Sequence, residues 1–192
     1  RLVSSEPGAS ASEKLAQPTL SLMAVFITSY AMAKLLASWG IDQAAMIGHS
    51  MGEYVAACLA QVLSPRDALA LLALRGRLFE ALPPGAMLIV PLPEATVRAL
   101  LGASLSLAAV NAPELSVVSG PLDAVEALEK TLGERELECH RVRISVAAHS
   151  AMLEPYLPEF ERLLRTIRLS PPTVPFMSNL TGTWIRPEEA TE

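Results

Sequence analysis

Ala44-Ala45-Met46-Ile47-Gly48-His49-Ser50-Met51-Gly52-Glu53-Tyr54 is the stretch on which the reading of this chain turns. Residues 44–49 form a short apolar run with no room for a helix, which predicts a buried strand of the parallel type. After Met51 the apolar positions Val55, Leu59 and Val62 return at helical spacing and predict a helix over 51–63. Gly48, Ser50 and Gly52 fit the pattern Gly-x-Ser-x-Gly at the joint between the two, the context in which that pattern presents a nucleophile. The serine is expected on a sharp, strained turn, with glycines on either side because a side chain there would clash where strand and helix cross. The turn lifts the hydroxyl above the sheet edge at a helix N-terminus, where the Met51 N–H points at any oxyanion formed. A tight structural turn without chemistry is the alternative.

Working outward, residues 1–17 are rich in Ser, Ala, Glu and Gly and read as a lead-in or linker. A helix is predicted over 18–40, with Pro18 in its first turn and Gly40 as its stop. Its apolar stretch, 20–33, is short for a bilayer, contains Thr28 and Ser29, and is followed by Lys34; it reads as a buried core helix. Ser64-Pro65-Arg66-Asp67 opens the next helix with an imperfect capping box, and Pro83-Pro84-Gly85 closes it. Strands are then predicted over 86–92, 105–110, 115–119 and 137–146, with helices over 93–101 and 121–132 and a turn at Asn111-Ala112-Pro113-Glu114. That β-α-β-β-α-β order is the split βαβ, ferredoxin-like unit. A helix over 153–167 and a strand over 174–178 follow. The expected fold class is α/β: a parallel-sheet core from 18–85 and 147–192, with a ferredoxin-like α+β subdomain, 86–146, inserted.

Composition narrows the function. With 51% hydrophobic and 18% charged residues the chain has material for a large core and is not a disordered segment. A net charge of −5 leaves no basic surplus to neutralise phosphates, so no nucleic-acid partner is expected. Cys58 and Cys139 cannot staple a chain of 192 residues, which points to a reducing compartment; a cytoplasmic location and no membrane partner are expected. The chain opens on Arg1 without a signal-peptide pattern and closes on a polar stretch, so it reads as a piece of something longer.

A serine nucleophile needs a base. His149 is favoured, in the small-residue loop Ala147-Ala148-His149-Ser150 where the chain re-enters the core. His49 is expected to be packed beside the strand, and His140 to face solvent. No acid stands out as a third member; a carbonyl oxygen can hold the imidazole N–H instead. Arg75 interrupts an apolar run, where a charge is costly unless paired. Its fork suits a carboxylate substrate, and a salt bridge to Glu53 or Glu80 is the equal alternative. Arg162, Arg165 and Arg168 recur every third residue and read as a solvated face, with a docking stripe as the rival reading. Cys139-His140 lacks the further ligands a metal needs, so no metal is expected.

These residues resemble a known family. Gly48-His49-Ser50-Met51-Gly52-Glu53-Tyr54, Leu74-Arg75-Gly76-Arg77, Asn111-Ala112-Pro113, and Ala148-His149-Ser150 with Met152-Leu153-Glu154-Pro155 are similar, in order, to acyltransferase domains of modular polyketide synthases. These are kin of malonyl-CoA:acyl-carrier-protein transacylases. The resemblance implies an α/β-hydrolase-like core with an inserted ferredoxin-like subdomain. It implies that Ser50 attacks the thioester of an acyl-CoA and that His149 takes its proton, then helps the phosphopantetheine thiol of an acyl carrier protein accept the acyl group. Arg75 would pair with the free carboxylate of a malonyl-type unit, Met51 would give an oxyanion N–H, and Asn111, Val146 and Ala148 would lie on the substrate side. The family binds no cofactor or metal and holds its histidine through backbone carbonyls. Neighbouring synthase domains are the further partners implied.

The chain departs from the family in two ways. The family's opening strand and Gly-Gln-Gly segment are not found, nor the Tyr-Trp-rich stretch that follows a segment like Thr181-Gly182, so the domain is expected to be truncated at both ends and poorly active as it stands. The four residues ending at the histidine are His-Ala-Phe-His in malonyl users and Tyr-Ala-Ser-His in methylmalonyl users; here they are Val146-Ala147-Ala148-His149, and the wider segment favours malonyl-CoA over methylmalonyl-CoA. A serine hydrolase or thioesterase on the same elbow, or an inactive structural piece of a synthase, are the rival readings.

Overall fold

The computed structural model describes residues 11–191. In chain order it contains α1 (Ala11–Leu15), α2 (Pro18–Ser38), α3 (Met51–Leu59), α4 (Pro65–Glu80), β1 (Gly85–Val90), α5 (Glu94–Arg98), β2 (Ser106–Ala112), β3 (Leu115–Pro121), α6 (Leu122–Gly133), β4 (His140–Arg141), a 3₁₀ turn (Ala151–Tyr156) and α7 (Leu157–Leu164). Two compact units result. One holds the described residues up to Arg77 and from Glu159 onward, the other Leu78–Pro158. The second encloses residues 86–146, read above as the insert. Of the lead-in expected over 1–17, residues 1–10 lie outside the described residues, and α1 replaces a linker over Ala11–Leu15.

In the first unit, α3 and α4 supply most of the core. Val55 and Cys58 of α3 and Leu71 and Leu72 of α4 close on Phe26 and Phe176. Ser64 opens α4 as expected: its hydroxyl donates to Asp67 Oδ2 at 2.6 Å and accepts from the Asp67 N–H at 3.1 Å. A Cβ on Gly76 would sit 2.7 Å from the Thr19 backbone nitrogen, so glycine is what lets α4 meet the start of α2.

Three expectations outside the inserted segment are corrected. The helix over 18–40 is present, yet Phe26 is its only buried side chain and Met32 is 60% exposed. A helix apolar on every side buries only the side that meets a partner. By length and composition alone, α2 is also the one helix among the described residues able to cross a membrane. The parallel-type strand expected over 44–49 and the strand expected over 174–178 shrink to a single parallel bridge, Met46 with Phe176. Met46 N–H donates to Pro175 C=O, and Met46 C=O accepts in return from Met177 N–H, both at 3.0 Å. Ile47, 80% exposed, has no second strand to cover it among the described residues. The helix over 153–167 becomes the 3₁₀ turn, which carries Pro155, followed by α7, which stops at Leu164. Arg165 and Arg168 therefore lie beyond α7, and no arginine stripe forms on it.

The second unit is one antiparallel sheet in the order β2-β3-β1-β4, with α5 and α6 between strands in the sequence β-α-β-β-α-β. Leu88 pairs with Val118 across β1 and β3. Both residues, with Val90, point into a cluster closed by Val97 of α5 and by Val125, Leu128 and Leu132 of α6. Those three α6 residues recur at helical spacing, as an amphipathic helix on a sheet requires. Ala112 pairs with Leu115, so the hairpin turn is Pro113-Glu114 alone and Asn111 belongs to β2, not to a loop. The strand expected over 137–146 is cut to His140–Arg141. Its arginine is drawn off to α6, where Arg141 meets Glu129 at 2.5 Å and Glu126 at 3.5 Å, and the chain bends away after Val142 N–H reaches Met87 C=O.

Candidate active site

Ser50 caps α3 with φ 49° and ψ −105°. This backbone geometry costs a non-glycine residue about 1–3 kcal/mol and persists only where neighbours enforce it. Gly48 is one such neighbour: a Cβ there would fall on the backbone of Gly52 and Glu53. Gly52 behaves differently from expectation. A Cβ on it meets nothing, because it points out of the crossing into open space.

The amides of the elbow are unequally engaged. Gly52 N–H donates to His49 C=O at 2.9 Å and Glu53 N–H to Ser50 C=O at 3.1 Å. Ser50 N–H donates to Asn179 Oδ1 at 2.8 Å. Among the described residues no hydrogen bond takes the Met51 N–H, the first of the donors that a helix leaves open at its start. It is therefore available to a developing negative charge beside the Ser50 hydroxyl. Asn179 does more than accept: its Nδ2 donates to Gly48 C=O at 2.5 Å, and its own N–H donates to Glu53 Oε1 at 2.9 Å.

Arg75, on α4, reaches back to α3. Its guanidinium carbon lies 5.9 Å from the centre of the Tyr54 ring and its Nη1 donates to the Tyr54 hydroxyl at 3.4 Å. Tyr54 follows Ser50 by one helical turn, so the cation is tied to the helix that the candidate nucleophile caps. Glu53, one of the two acids considered as a partner for Arg75, gives an oxygen to Asn179 instead.

The remaining candidates lie in the second unit. His149 is exposed and has φ 57°, between buried Ala148 and buried Ser150. Ser150 fixes this loop: its hydroxyl donates to Ala147 C=O at 2.7 Å and accepts from Met152 N–H at 3.3 Å. Ser106 of β2 accepts from Ala151 N–H at 3.1 Å. Gly85 also serves the loop, since a Cβ on it would stand 2.6 Å from the Ala147 Cβ. Val146 and Ala148 are buried and Asn111 is exposed at the end of β2. His140 faces solvent as expected, but His49 does too, against the expectation of a packed ring. Burial pushes the Cys58 thiol up to about 12, aided by the charge of Asp67. Burial also raises Cys139, with Glu129 adding to it. Neither thiol has the character of a nucleophile. Among the described residues no group of three His, Cys, Asp or Glu side chains is placed to hold a metal.

Sequence reasoning missed Asn179, Tyr54, Ser150 and Ser106. Asn179 stands in a polar run directly after the Phe176 bridge, a signal that becomes readable only once that segment is known to lie beside the elbow.

Comparison with known proteins agrees with this geometry. The family model for the acyl transferase domain matches residues 2–191. The mycoketide-CoA synthase of Mycobacterium tuberculosis is 41% identical over 172 residues, covering 89% of this chain and 4% of the synthase. The acyl transferase domain of SpnD, solved in complex with 2-(pent-4-yn-1-yl)malonyl, is 44% identical at a TM-score of 0.87, covering 92% of this chain and 43% of that one. An acyl carrier protein S-malonyltransferase from Vibrio cholerae is 27% identical at a TM-score of 0.80, covering 91% of this chain and 61% of that one. The chain thus spans a small part of the curated synthase and less than two thirds of these two solved relatives.

Proposed function

The chain belongs to the acyl transferase domain family, and on that premise we propose that it moves an acyl group from coenzyme A to an acyl carrier protein through an ester on Ser50. The observation that carries this reading is the elbow: a serine at φ 49° on the first turn of α3, next to an open Met51 N–H. Ser50 Oγ attacks the thioester carbonyl while His149 takes its proton. The oxyanion forms against the Met51 N–H. The C–S bond then breaks, and coenzyme A leaves as the thiol with the proton held by His149. In the second half the phosphopantetheine thiol of the carrier gives its proton to His149, its sulfur attacks the seryl ester, and Ser50 leaves with the proton restored. A carbonyl oxygen orients the imidazole, and no cofactor or metal takes part.

The acyl unit is malonyl-type, supported by the substituted malonyl held in the SpnD domain and by the name of the Vibrio cholerae relative. Arg75 takes the free carboxylate, for which a planar fork is suited. Asn111, Val146 and Ala148 line the substrate side. Malonyl-CoA is preferred to methylmalonyl-CoA; the small Ala148 leaves that preference modest, since a methyl in a pocket is worth only about 1–3 kcal/mol. The strand order β2-β3-β1-β4 supports reading residues 86–146 as a ferredoxin-like subdomain set into an α/β-hydrolase-like core of 18–85 and 147–192. Family membership also supports reading α2 as a helix of a cytoplasmic synthase domain, working beside further synthase domains.

Intact-mass spectrometry of the parent protein after addition of malonyl-CoA tests the reading. A malonyl adduct that maps to Ser50 and is absent from Ser50→Ala is expected. A wild-type protein left unmodified by every dicarboxylic acyl-CoA overturns it, and an adduct lost to water as fast with the carrier absent as with it present makes the protein a hydrolase.

A further inference from the structure

We infer that Asn179 is a positioning residue that holds the Ser50 elbow in its strained form and decides which amide is left for catalysis. The inference rests on the reading of Ser50 as nucleophile. The segments around Met46 and Phe176 run parallel for one bridge, through Met46 N–H to Pro175 C=O and Met177 N–H to Met46 C=O. In a continued parallel ladder the Asn179 N–H would next take the Gly48 C=O. It does not. That N–H turns to Glu53 Oε1, and the Asn179 side chain replaces the missing rung: Nδ2 donates to Gly48 C=O and Oδ1 accepts from Ser50 N–H. Only one orientation of the carboxamide satisfies both partners, which fixes the assignment of its two ends.

Two consequences follow from this geometry. The carboxamide spans residues 48 and 50, either side of the point where the chain reverses, so it supplies the enforcement that a φ of 49° demands. It also occupies the Ser50 N–H. With Gly52 and Glu53 N–H bonded to His49 and Ser50 carbonyls, the Met51 N–H is, among the described residues, the donor left open on the helix side of Ser50. Glu53 anchors the Asn179 backbone from the first turn of the same helix. Nucleophile, oxyanion donor and brace thus form one rigid piece, as transition-state stabilisation requires.

Asn179→Asp and Asn179→Ala in the parent protein test this. The aspartate keeps an acceptor for Ser50 N–H but turns an oxygen toward Gly48 C=O; the alanine removes both bonds. Two reactions are followed, malonyl transfer and phosphonylation by a fluorophosphonate, which forms a Ser50 Oγ–P bond with loss of fluoride and needs no acyl-CoA. Both rates are expected to fall about 100-fold in either variant, the cost of a small misplacement, with KM for malonyl-CoA unchanged. The aspartate variant should recover relative to wild type as pH falls and its protonated carboxyl regains a donor. If the alanine variant fails to fold, the near-isosteric aspartate decides. Wild-type rates, or a change in KM alone, overturn the inference. Asn179-dependent phosphonylation in a protein that accepts no acyl-CoA would uphold it while sinking the acyl-transfer reading. A wild-type protein that undergoes neither reaction overturns both.

Discussion

The Arg75 guanidinium stands over the face of the Tyr54 ring, 5.9 Å from its centre, while its Nη1 is a long 3.4 Å from the Tyr54 hydroxyl. A phenyl ring keeps the first of these contacts and loses only the second, and a hydrogen bond near the distance limit gains little. Tyr54→Phe should leave malonyl loading close to wild type, and Tyr54→Ala should raise KM for malonyl-CoA. Arg75→Ala should lower kcat/KM for malonyl-CoA by about 10- to 100-fold, the worth of a charge-assisted pair, while sparing acetyl-CoA. Competition between the two thioesters, read by mass spectrometry, checks this; equal losses for both would make Arg75 a purely structural arginine.

The two glycines of the elbow should respond oppositely to the same substitution. A Cβ on Gly48 falls on the backbone of Gly52 and Glu53, and neither can retreat without moving the helix start. Gly48→Ala should cost about 1–3 kcal/mol or more and distort the turn at Ser50 with it. Gly52 lies inside α3 with open space at its Cβ position. There alanine should stabilise by about 0.5–1 kcal/mol, by reducing the freedom lost on folding. Urea midpoints of the two variants provide the comparison, and destabilisation of equal size would refute the asymmetry.

Glycine can take the place of His149 without straining the backbone of its loop. Its φ of 57° is unfavourable for alanine and natural for glycine, while Ser150 and Ser106 hold the flanking backbone through their own hydroxyls. His149→Gly should therefore keep the backbone of the loop and lose about 10²- to 10⁴-fold in the acylation rate, the usual contribution of a general base. Added imidazole should return part of that rate. A glycine variant as fast as wild type would remove His149 from the mechanism.

What the sequence made legible is what is local. The elbow announces itself within five residues, and the α4 cap within four, because each depends on side chains that reach their own neighbours. The β-α-β-β-α-β order is readable for the same reason, through periodicity and turn residues. Asn179 is not readable in that way: it is 129 positions from Ser50, and nothing in a polar run after a strand says which carbonyl its amide will meet. The apolar length of α2 suggested burial, but composition reports how much surface a helix can bury, not whether a partner is there to cover it. The shortened β4 has a similar origin. Arg141 is committed to Glu126 and Glu129 across the sheet edge, a pairing that alternation along one strand does not encode.

Cys58 gives the fold a pH dependence of predictable sign. The residue is 6% exposed and its thiol is pushed from 9.0 up to about 12, first by burial and then by the charge of Asp67. Below pH 9 the thiol is protonated in both folded and unfolded chains and contributes no slope. Between pH 9 and 12 the unfolded chain gives up the proton while the folded one keeps it, so unfolding releases a proton and stability falls as pH rises. One proton sets an upper bound of about 1.4 kcal/mol per pH unit. Cys58→Ala should flatten that part of the alkaline decline, whatever it does to stability at neutral pH, so the quantity to compare is the slope of melting temperature against pH in the two proteins. Iodoacetamide at about pH 8 should also modify half-buried Cys139 well before Cys58. Parallel slopes above pH 9, or early alkylation of Cys58, would mean that the thiol is not sealed in the core formed by α3 and α4.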